Sequence, residues 1–422
     1  MGAEPTVDDL LVLPLRGNDG LVRAIAEQMG LRNREGEALA LNRVFRSVNF
    51  ADGAANPKVY EPEEIEGKRV ILVDTLTSQT NMNERAFAQV AFSADTLMRC
   101  GALEVNLAAF PLPYARQDED PAMLKDLPPD DVDARMKKHR RKLINMQGEA
   151  YALDVYSSFL HHIGIKRIIT AEVHNPAATA EIIGRHYEGA TDVFFNLDPF
   201  IPFGNFVATQ RIPGYKGERI DFGERGSNTV VMGLDEGAKE RAERLICYAG
   251  FSDAAFIEYL KNRQSKEDVE AVQHTRHTAR NYHGLEGKVL IFPEDMFDSG
   301  RSVEGTIKDI NFAKEGTPSY VIVIVPYPIN SGEAFNRIQK NNLNLITMTL
   351  RPNIPHHTEY GAESINILYS GRWLATEITS IMSTGKPRLT RETFDKVASD
   401  YVNGLYEWRQ PSRMVRFSAG TR

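Results

Sequence analysis

The residues best suited to chemistry follow an apolar segment in the second half of the chain, KVLIFPED (288–295). They combine carboxylates, hydroxyls and a glycine, and they are Glu294, Asp295, Asp298, Ser299, Gly300, Arg301 and Ser302. Backbone amides at a helix N-terminus, together with the two hydroxyls, suit a phosphate group, while the carboxylates suit sugar hydroxyls or hydrated Mg²⁺. The alternative is an ordinary strand-to-helix turn in which Asp298 and Ser302 cap the helix. The motif alone leaves both interpretations open.

A second group of polar residues follows an apolar run in the first half of the chain. In FPLPYARQDED (110–120), Arg116 and Gln117 stand where ligands bind in open α/β sheets. An arginine at that position can reach a phosphate or stack on a base. The alternative is a capped loop with a surface salt bridge between Arg116 and Asp118.

A histidine follows the apolar segment RIITAEV (167–173). Neutral imidazole is a competent metal ligand, so His174 is a candidate ligand. A single histidine is more often a structural residue, and this segment by itself leaves both roles open.

Short apolar runs rich in β-branched residues alternate with helical patterns, which predicts parallel sheets built from βαβ units. The predicted strands are LVLPL (11–15), RVILVD (69–74), VNLAAF (105–110), RIITAEV (167–173), NTVVMG (228–233), KVLIFPED (288–295), YVIVIVP (320–326), LNLITMTL (343–350) and SINILY (364–369). Between them lie amphipathic helices such as 83–101, which ends at Gly101. The predicted fold class is therefore α/β with mainly parallel sheets.

The two halves of the chain share this alternation, which predicts two related domains, 1–190 and 191–385, and a helical tail, 386–422. The join is expected near 186–200, where Gly, Pro and Asn come together. Two segments interrupt the rhythm and are interpreted as insertions, the charged 118–148 and the Gly-rich 202–227.

The composition argues against several classes of protein. The 422 residues carry 50 Lys and Arg against 57 Asp and Glu, a net charge of −7, which is unlike a dedicated nucleic-acid binder. The basic run 137–142 has no interleaved aromatic residues, so a solvated helix is favoured over a nucleic-acid patch. Cys100 and Cys247 are too few for a disulfide framework, and no apolar run approaches the ~18 residues that cross a bilayer. A cytoplasmic protein with neither a nucleic-acid nor a membrane partner is expected.

Taken in order, the polar segments resemble the ribose-phosphate pyrophosphokinases, also called phosphoribosyl pyrophosphate synthetases. The resemblance covers roughly residues 9–385. Its motifs are NFADG (49–53), EGKRVILVDTLTSQTNMNERAF (66–87), PYARQD (113–118), ITAEVH (169–174), DEGAK (235–239), LKNR (260–263) and EDMFDSGRS (294–302). Each motif is weak alone, whereas seven motifs in the family's order and approximate spacing indicate homology.

The resemblance implies two phosphoribosyltransferase-type domains in a homo-oligomer, a dimer or a hexamer. It also implies Mg²⁺-dependent transfer of the diphosphoryl group of ATP to the anomeric hydroxyl of ribose 5-phosphate. The resemblance assigns ATP binding to Phe50, Asp52, Arg116, Gln117 and His174. It assigns metal binding to His174 and Asp235 and catalysis to Lys261 and Arg263. It assigns binding of the acceptor to residues 294–302. Phe50 and Asp52 would contact the adenine bound in a neighbouring subunit, and Lys261 and Arg263 would lie in a mobile lid.

The chain departs from the family's pattern at several substrate positions. Ala54 replaces a Glu in the adenine loop, DEGAK lacks one glycine, Glu294 replaces an Asp, and Arg301 replaces a Gly. A guanidinium beside a phosphate site can bind a second phosphate. That would favour a larger ribosyl acceptor such as ADP-ribose, as in phage relatives that rebuild NAD. The alternative is that Arg301 points to solvent or pairs with Glu304.

Two other functions stay open on the sequence. One is a non-catalytic regulatory relative, which the retention of Lys261, Arg263 and His174 disfavours. The other is a phosphoribosyltransferase, which the PYARQD and LKNR motifs disfavour. Ribose 5-phosphate is the preferred acceptor because it is the family's prevailing substrate.

Overall fold

The structure is a computed structural model that describes most of the chain. The described residues are 9–16, 19–51, 54–75, 82–128, 134–188, 192–209, 212, 214, 218–234, 236–260, 273–275, 282–310, 312–348, 350 and 365–389. They form two compact units, which divide after Leu197 and again between Leu374 and Ala375. The first unit includes residues 375–387, where the Met382 carbonyl accepts a 2.7 Å hydrogen bond from Arg69 Nη1. The partition predicted from the sequence, with joins after 190 and 385, stays a prediction.

The first unit is built on a parallel sheet of five strands in the order β1-β4-β5-β6-β7. Its strands are β1 (Leu10–Arg16), β4 (Arg69–Thr75), β5 (Glu104–Phe110), β6 (Ile165–Ala171) and β7 (Phe194–Leu197). A separate antiparallel hairpin pairs β2 (Phe45–Asn49) with β3 (Ala55–Val59). The helices are α1 (Asp19–Gln28), α2 (Leu41–Val44), α3 (Met82–Arg99), α4 (Ala134–Asn145), α5 (Ala152–His162) and α6 (Pro176–His186).

The second unit is built on a sheet of seven strands in the order β10-β9-β8-β11-β13-β15-β16, in which only β10 is antiparallel to its neighbour. Its strands are β8 (Thr229–Gly233), β9 (Ala255–Leu260), β10 (Gln273–Thr275), β11 (Val289–Pro293), β13 (Tyr320–Val325), β15 (Leu343–Met348) and β16 (Ile365–Leu368). A short parallel pair extends beyond it, β12 (Met296–Phe297) with β14 (Tyr327–Pro328). The helices are α7 (Phe200–Ala208), α8 (Glu236–Ala249), α9 (Arg301–Asp309), α10 (Phe312–Glu315), α11 (Ala334–Lys340) and α12 (Gly371–Thr384), and the second division between the units falls inside α12.

The central strands are continuous apolar runs because both of their faces are covered. Every residue of β8, β11, β13 and β15 is buried, as parallel strands between two helical layers require. The predicted α/β class with mainly parallel sheets is confirmed, and all nine predicted strands form. None of the described helices is long and apolar enough to span a membrane.

Several elements were not predicted. The short strand β7 lies in the segment interpreted as the join, and the apolar run of β9 is interrupted by Glu258. The β2–β3 hairpin carries too many polar residues to form an apolar run. The start of the proposed insertion 202–227 is instead part of helix α7, whose residues Phe203, Phe206 and Val207 are buried. The predicted tail helix lies outside the described residues, apart from its first positions up to Leu389.

Helices α7 and α8 approach each other closely at Gly204. A Cβ at this position would lie 2.7 Å from the carbonyl carbon of Tyr248, which is backbone and cannot rotate away. By contrast, a Cβ at Gly184 in α6 would have no neighbouring heavy atom within 4 Å. The two glycines therefore share a helical setting and differ in the space around them.

Replacing each glycine by alanine should change stability in opposite directions. We expect Gly204→Ala to destabilise the protein by about 1–3 kcal/mol because α7 and α8 must separate. Gly184→Ala should stabilise it by about 0.5–1 kcal/mol because alanine loses less backbone entropy in a helix. Urea unfolding followed by circular dichroism measures both changes, and equal effects of the two substitutions would contradict this account of the α7–α8 contact.

Candidate functional site

Most of the predicted site segments of the second unit follow the carboxyl ends of adjacent parallel strands. In the order of the sheet, β9 ends at Leu260, β8 at Gly233, β11 at Pro293 and β13 at Val325. Because parallel strands end on one side of a sheet, these four termini share an edge, where open α/β sheets bind ligands. We call this the carboxyl edge of the second sheet.

Three predicted site residues of this unit lie outside the described residues. Asp235 follows β8 by two positions, and Lys261 and Arg263 follow β9 by one and three positions. Each of them follows a strand that ends at the carboxyl edge of the second sheet. Their proposed roles stay predictions.

The acidic loop, residues 294–300, follows β11 and is held by short hydrogen bonds. The carboxylate of Asp295 is largely buried, and its Oδ1 accepts a 2.8 Å bond from the Met296 amide. Asp298 Oδ1 accepts a 2.5 Å bond from the Ser331 hydroxyl, which reaches it from the segment after β13. The loop carboxylates therefore have defined positions on the carboxyl edge.

Glu294 contacts an arginine that sequence reasoning missed. Arg241 Nη2 lies 3.3 Å from Glu294 Oε2, and the two side chains are only 5% and 12% exposed. Arg241 belongs to α8 and lies 53 residues before Glu294, so no local motif could identify it. The guanidinium fixes the direction of the first carboxylate of the loop.

The acidic loop passes into helix α9 through a left-handed residue. Gly300 has φ +72°, and a Cβ there would lie 2.7 Å from the ring of Phe297. Only glycine meets both demands without strain. Gly300 is also the N-cap of α9, so Asp298 does not occupy the capping position that the alternative interpretation required. The first amides of α9 follow at Arg301 and Ser302, whose side chains are exposed.

Arg301 does not pair with Glu304. The Glu304 carboxylate lies 2.8 Å from Arg337, 3.0 Å from Lys308 and 3.5 Å from Lys340. The Arg301 side chain forms no hydrogen bond or ion pair with any residue that the structure describes. Its guanidinium is exposed at the first turn of α9, next to the acidic loop.

In the first unit, the PYARQD motif forms a turn directly after β5. The ring of Tyr114 packs against Phe87 and Tyr156, with ring centres 5.7 and 5.5 Å away. The Gln117 amide donates a 2.8 Å bond to the Tyr114 carbonyl and closes the turn. With the tyrosine anchored among aromatic rings, the side chains of Arg116 and Gln117 remain exposed.

His174 follows β6, the strand beside β5 in the same sheet. The preceding Glu172 is buried with φ +42°, and its amide donates to the Leu197 carbonyl at 3.1 Å. Asn175 then caps α6 by accepting a 3.2 Å bond from the Ala178 amide. His174 lies between these two fixed points and is exposed, so it is not a core histidine. The ends of β5 and β6 are adjacent, which brings the PYARQD turn and the His174 segment to one edge.

Phe50 lies at the tip of the β2–β3 hairpin. Its amide donates to the Ala54 carbonyl at 2.8 Å, and its side chain is 58% exposed. Asp52, in the same predicted adenine loop, lies outside the described residues.

No group of three or more His, Cys, Asp or Glu side chains in the described ranges could hold a metal ion. The carboxylates of the acidic loop are oxygen donors at the carboxyl edge of the second sheet. This donor set fits Mg²⁺, which is commonly held by one or two carboxylates together with substrate phosphates and water.

Curated proteins that are similar in sequence to this chain share one name. The curated ribose-phosphate pyrophosphokinase of Helicobacter hepaticus is 22% identical over 319 residues, which are 75% of this chain and 82% of that protein. The ribose-phosphate pyrophosphokinase of Chromobacterium violaceum is 24% identical over 302 residues, 71% of this chain and 72% of that protein. No family model matches the chain.

A solved structure supports the same relationship at the level of the fold. The crystal structure of phosphoribosylpyrophosphate synthetase from Mycobacterium smegmatis superposes with a TM-score of 0.61, at 17% identity, over 88% of this chain and 98% of that one. The two-unit α/β architecture and the curated relatives therefore agree. The chain is therefore similar in sequence to the ribose-phosphate pyrophosphokinases and in fold to a phosphoribosylpyrophosphate synthetase, and it is divergent from both.

Proposed function

We propose that the protein transfers the diphosphoryl group of ATP to the anomeric hydroxyl of ribose 5-phosphate, giving phosphoribosyl pyrophosphate and AMP. The observation that carries this proposal is the carboxyl edge of the second sheet. There an acidic loop, a left-handed glycine and a helix N-terminus follow β11, and β8 alone separates β11 from β9, the strand that leads into Lys261 and Arg263. The curated relatives of that name support the reaction class.

The acceptor is assigned to the acidic loop and the start of α9. The first amides of α9 and the hydroxyls of Ser299 and Ser302 can bind the 5-phosphate, because a helix N-terminus carries unpaired N–H groups and a positive dipole end. The carboxylates of Glu294 and Asp295 can accept hydrogen bonds from ribose hydroxyls. Arg241 would keep Glu294 turned in one direction.

The nucleotide is assigned to residues of the first unit and to the segment after β8. Arg116 and Gln117 are exposed after β5 and can bind phosphates or base. His174 and Asp235 would hold Mg²⁺ together with the phosphates of ATP. The chemistry that Mg²⁺ supplies when bound is neutralisation of charge on the phosphate oxygens.

The reaction needs alignment and positive charge more than covalent help. The anomeric oxygen forms a bond to the β-phosphorus and releases its proton, while the bond from the β-phosphorus to the oxygen bridging to the α-phosphorus breaks. AMP leaves with that oxygen. Lys261 and Arg263 would stabilise the negative charge that accumulates on the transferring group.

We also propose that the active form is a homo-oligomer. Phe50 is exposed at a hairpin tip, where an aromatic ring gains most from covering by a second surface. In this proposal Phe50 and Asp52 contact adenine in a neighbouring subunit. The oligomer would be a dimer or a hexamer.

A second candidate acceptor is favoured by one observation. Arg301 is exposed at the first turn of α9 and its side chain makes no bond with the described part of the chain, so its guanidinium is available for a second phosphate. ADP-ribose presents a terminal ribose and a diphosphate, and the same chemistry would apply to it.

The reaction itself is tested by incubating the protein with Mg²⁺, ATP and one ribosyl acceptor at a time. We expect AMP to form in equal amount to the diphosphorylated product, both measured by mass spectrometry. Ribose 5-phosphate is the expected acceptor, and ADP-ribose is the comparison. Tight nucleotide binding without turnover on any acceptor would favour a regulatory relative instead, and release of pyrophosphate from phosphoribosyl pyrophosphate with a base would favour a phosphoribosyltransferase.

Loss of either proposed catalytic cation should slow the chemical step. We expect Arg263→Ala and Lys261→Ala each to lower kcat by about 100-fold or more, with the KM for ATP changed by less than about threefold, since their charge acts in the transition state. Steady-state kinetics measures both constants. The matched control is Arg99→Ala, which removes an exposed arginine of α3 that pairs only with Asp95 among the described contacts. Full turnover in both variants would rule out the assigned roles.

The role of Arg301 decides between the two acceptors. If it binds a second phosphate, Arg301→Gly should raise the KM for ADP-ribose by about tenfold or more, the loss of one charge-assisted hydrogen bond. Activity on ribose 5-phosphate should be unaffected, because that acceptor has one phosphate. An enzyme that uses ribose 5-phosphate well and ADP-ribose not at all would show that Arg301 has no such role.

A further inference from the structure

One segment of the chain holds the acidic loop in place through hydrogen bonds. We call residues 327–337, which run from β14 into α11, the brace. Three successive carbonyl oxygens of the loop accept hydrogen bonds from it, Phe297 O from Asn330 N at 2.9 Å, Asp298 O from Ser331 N at 3.0 Å and Ser299 O from Arg337 Nη1 at 2.8 Å. The β12–β14 pairing continues this contact at its start.

These hydrogen bonds set the direction in which the backbone N–H groups of the loop point. In a planar trans peptide, the N–H of each residue points away from the carbonyl of the residue before it. Since the carbonyls of Phe297, Asp298 and Ser299 face the brace, the N–H groups of Asp298, Ser299 and Gly300 face the opposite side. Successive backbone amides that point to one side form a concave site for an anion.

Arg337 differs from the other members of the brace because it contacts both sides of Gly300. Its Nη1 binds the Ser299 carbonyl before the glycine, and its Nε lies 2.8 Å from Glu304 Oε2 after it. Glycine has the freest backbone of any residue, so a turn built on it needs an external constraint. The Arg337 guanidinium, 17% exposed, joins the acidic loop to the first turns of α9.

The ion pair on the α9 side is independent of ordinary assay pH. Hydrogen bonds from Lys308 and Arg337 lower the pKa of Glu304 to about 2. Lys308 and Lys340 approach Oε1 of this carboxylate, whereas Arg337 binds Oε2. Among the three cations, Arg337 is the one that binds Oε2 of Glu304, and this carboxylate stays charged.

We propose that Arg337 is a positioning residue for the anion site of the acidic loop. It acts through Ser299 and Glu304, and it fixes the angle between the loop amides and the first amides of α9 so that both sets converge on one phosphate. This proposal rests on the proposed binding of the acceptor phosphate by the loop. The planar fork of an arginine is required, because one lysine ammonium cannot hold the carbonyl and the carboxylate in this geometry.

The test compares Arg337→Lys with Lys340→Gln in the full-length protein. Both substitutions alter a cation that contacts Glu304, but Lys340 is 68% exposed and has no described contact with the acidic loop. We expect Arg337→Lys to raise the KM for ribose 5-phosphate by about tenfold or more, the loss of a charge-assisted hydrogen bond. The kcat and the KM for ATP should stay within about twofold, and Lys340→Gln should match the wild type. A general loss of structure would instead lower kcat and affect both substrates.

A second variant covers the case in which Arg337→Lys does not fold. Glu304→Gln keeps the side-chain shape and removes the charge on the α9 side, so it should raise the KM for the acceptor in the same direction. An unchanged acceptor KM in a folded Arg337→Lys protein, or in Glu304→Gln if it alone folds, overturns the positioning role and leaves the proposed function intact.

Orthophosphate separates failure of this inference from failure of the proposed function. If the wild type is inactive on every acceptor, the proposed function fails, and binding of orthophosphate measured by ³¹P NMR then decides the positioning role alone. Weaker binding to Arg337→Lys than to Lys340→Gln would uphold it. Equal binding to the two variants, or no binding to the wild type, would overturn it.

Discussion

The parallel direction of the central strands is the constraint on which both candidate sites depend. A parallel strand can be reached only by a crossover, so each turn that leaves a carboxyl end lies on the same edge as the turns of its neighbours. In the second sheet this rule alone brings together segments that are far apart in sequence, those after β9, β8, β11 and β13. In the first sheet it does the same for the PYARQD turn and the segment of His174. The burial of every residue in the central strands leaves those edges as the natural place for polar chemistry.

The proposed function asks a loop rich in carboxylates to bind a phosphate, although like charges repel. The structure gives the acidic groups partners of their own. Glu294 faces Arg241, Asp298 accepts from a serine hydroxyl, and Glu304 is surrounded by three cations. The backbone amides, turned away from the brace, remain to face an anion. In this arrangement the side chains balance charge and the backbone amides remain for an anion, as the proposed binding of a sugar phosphate requires.

The sequence was sufficient for the fold wherever a strand was a long apolar run, and it failed where a strand was short or mixed. β7 has only four residues, and the apolar run of β9 is interrupted by Glu258, so neither is a long apolar run. The loop residues of the candidate site were found because they follow one strand in sequence. Arg241 and Arg337 were not, because their contacts with the loop span 53 and 38 residues. Such partners become visible only when the fold brings two helices to the same loop.

Two of the departures from the pattern of the resembled family lie in the segment proposed to bind the acceptor. Glu294 and Arg301 differ from the family's usual Asp and Gly, and both lie in the segment from the end of β11 to the start of α9. The extra methylene of a glutamate extends its carboxylate toward Arg241, at 3.3 Å, a distance that an aspartate on the same backbone would lengthen. Arg301 adds an exposed cation beside the same loop. The segments proposed for the nucleotide and its metal depart from the pattern as well, by Ala54 in the predicted adenine loop and by the glycine that DEGAK lacks. Under the proposed function, the changes in the acidic loop bear on the choice of acceptor, because Arg301 adds a cation and Glu294 adds reach at the loop to which the acceptor is assigned.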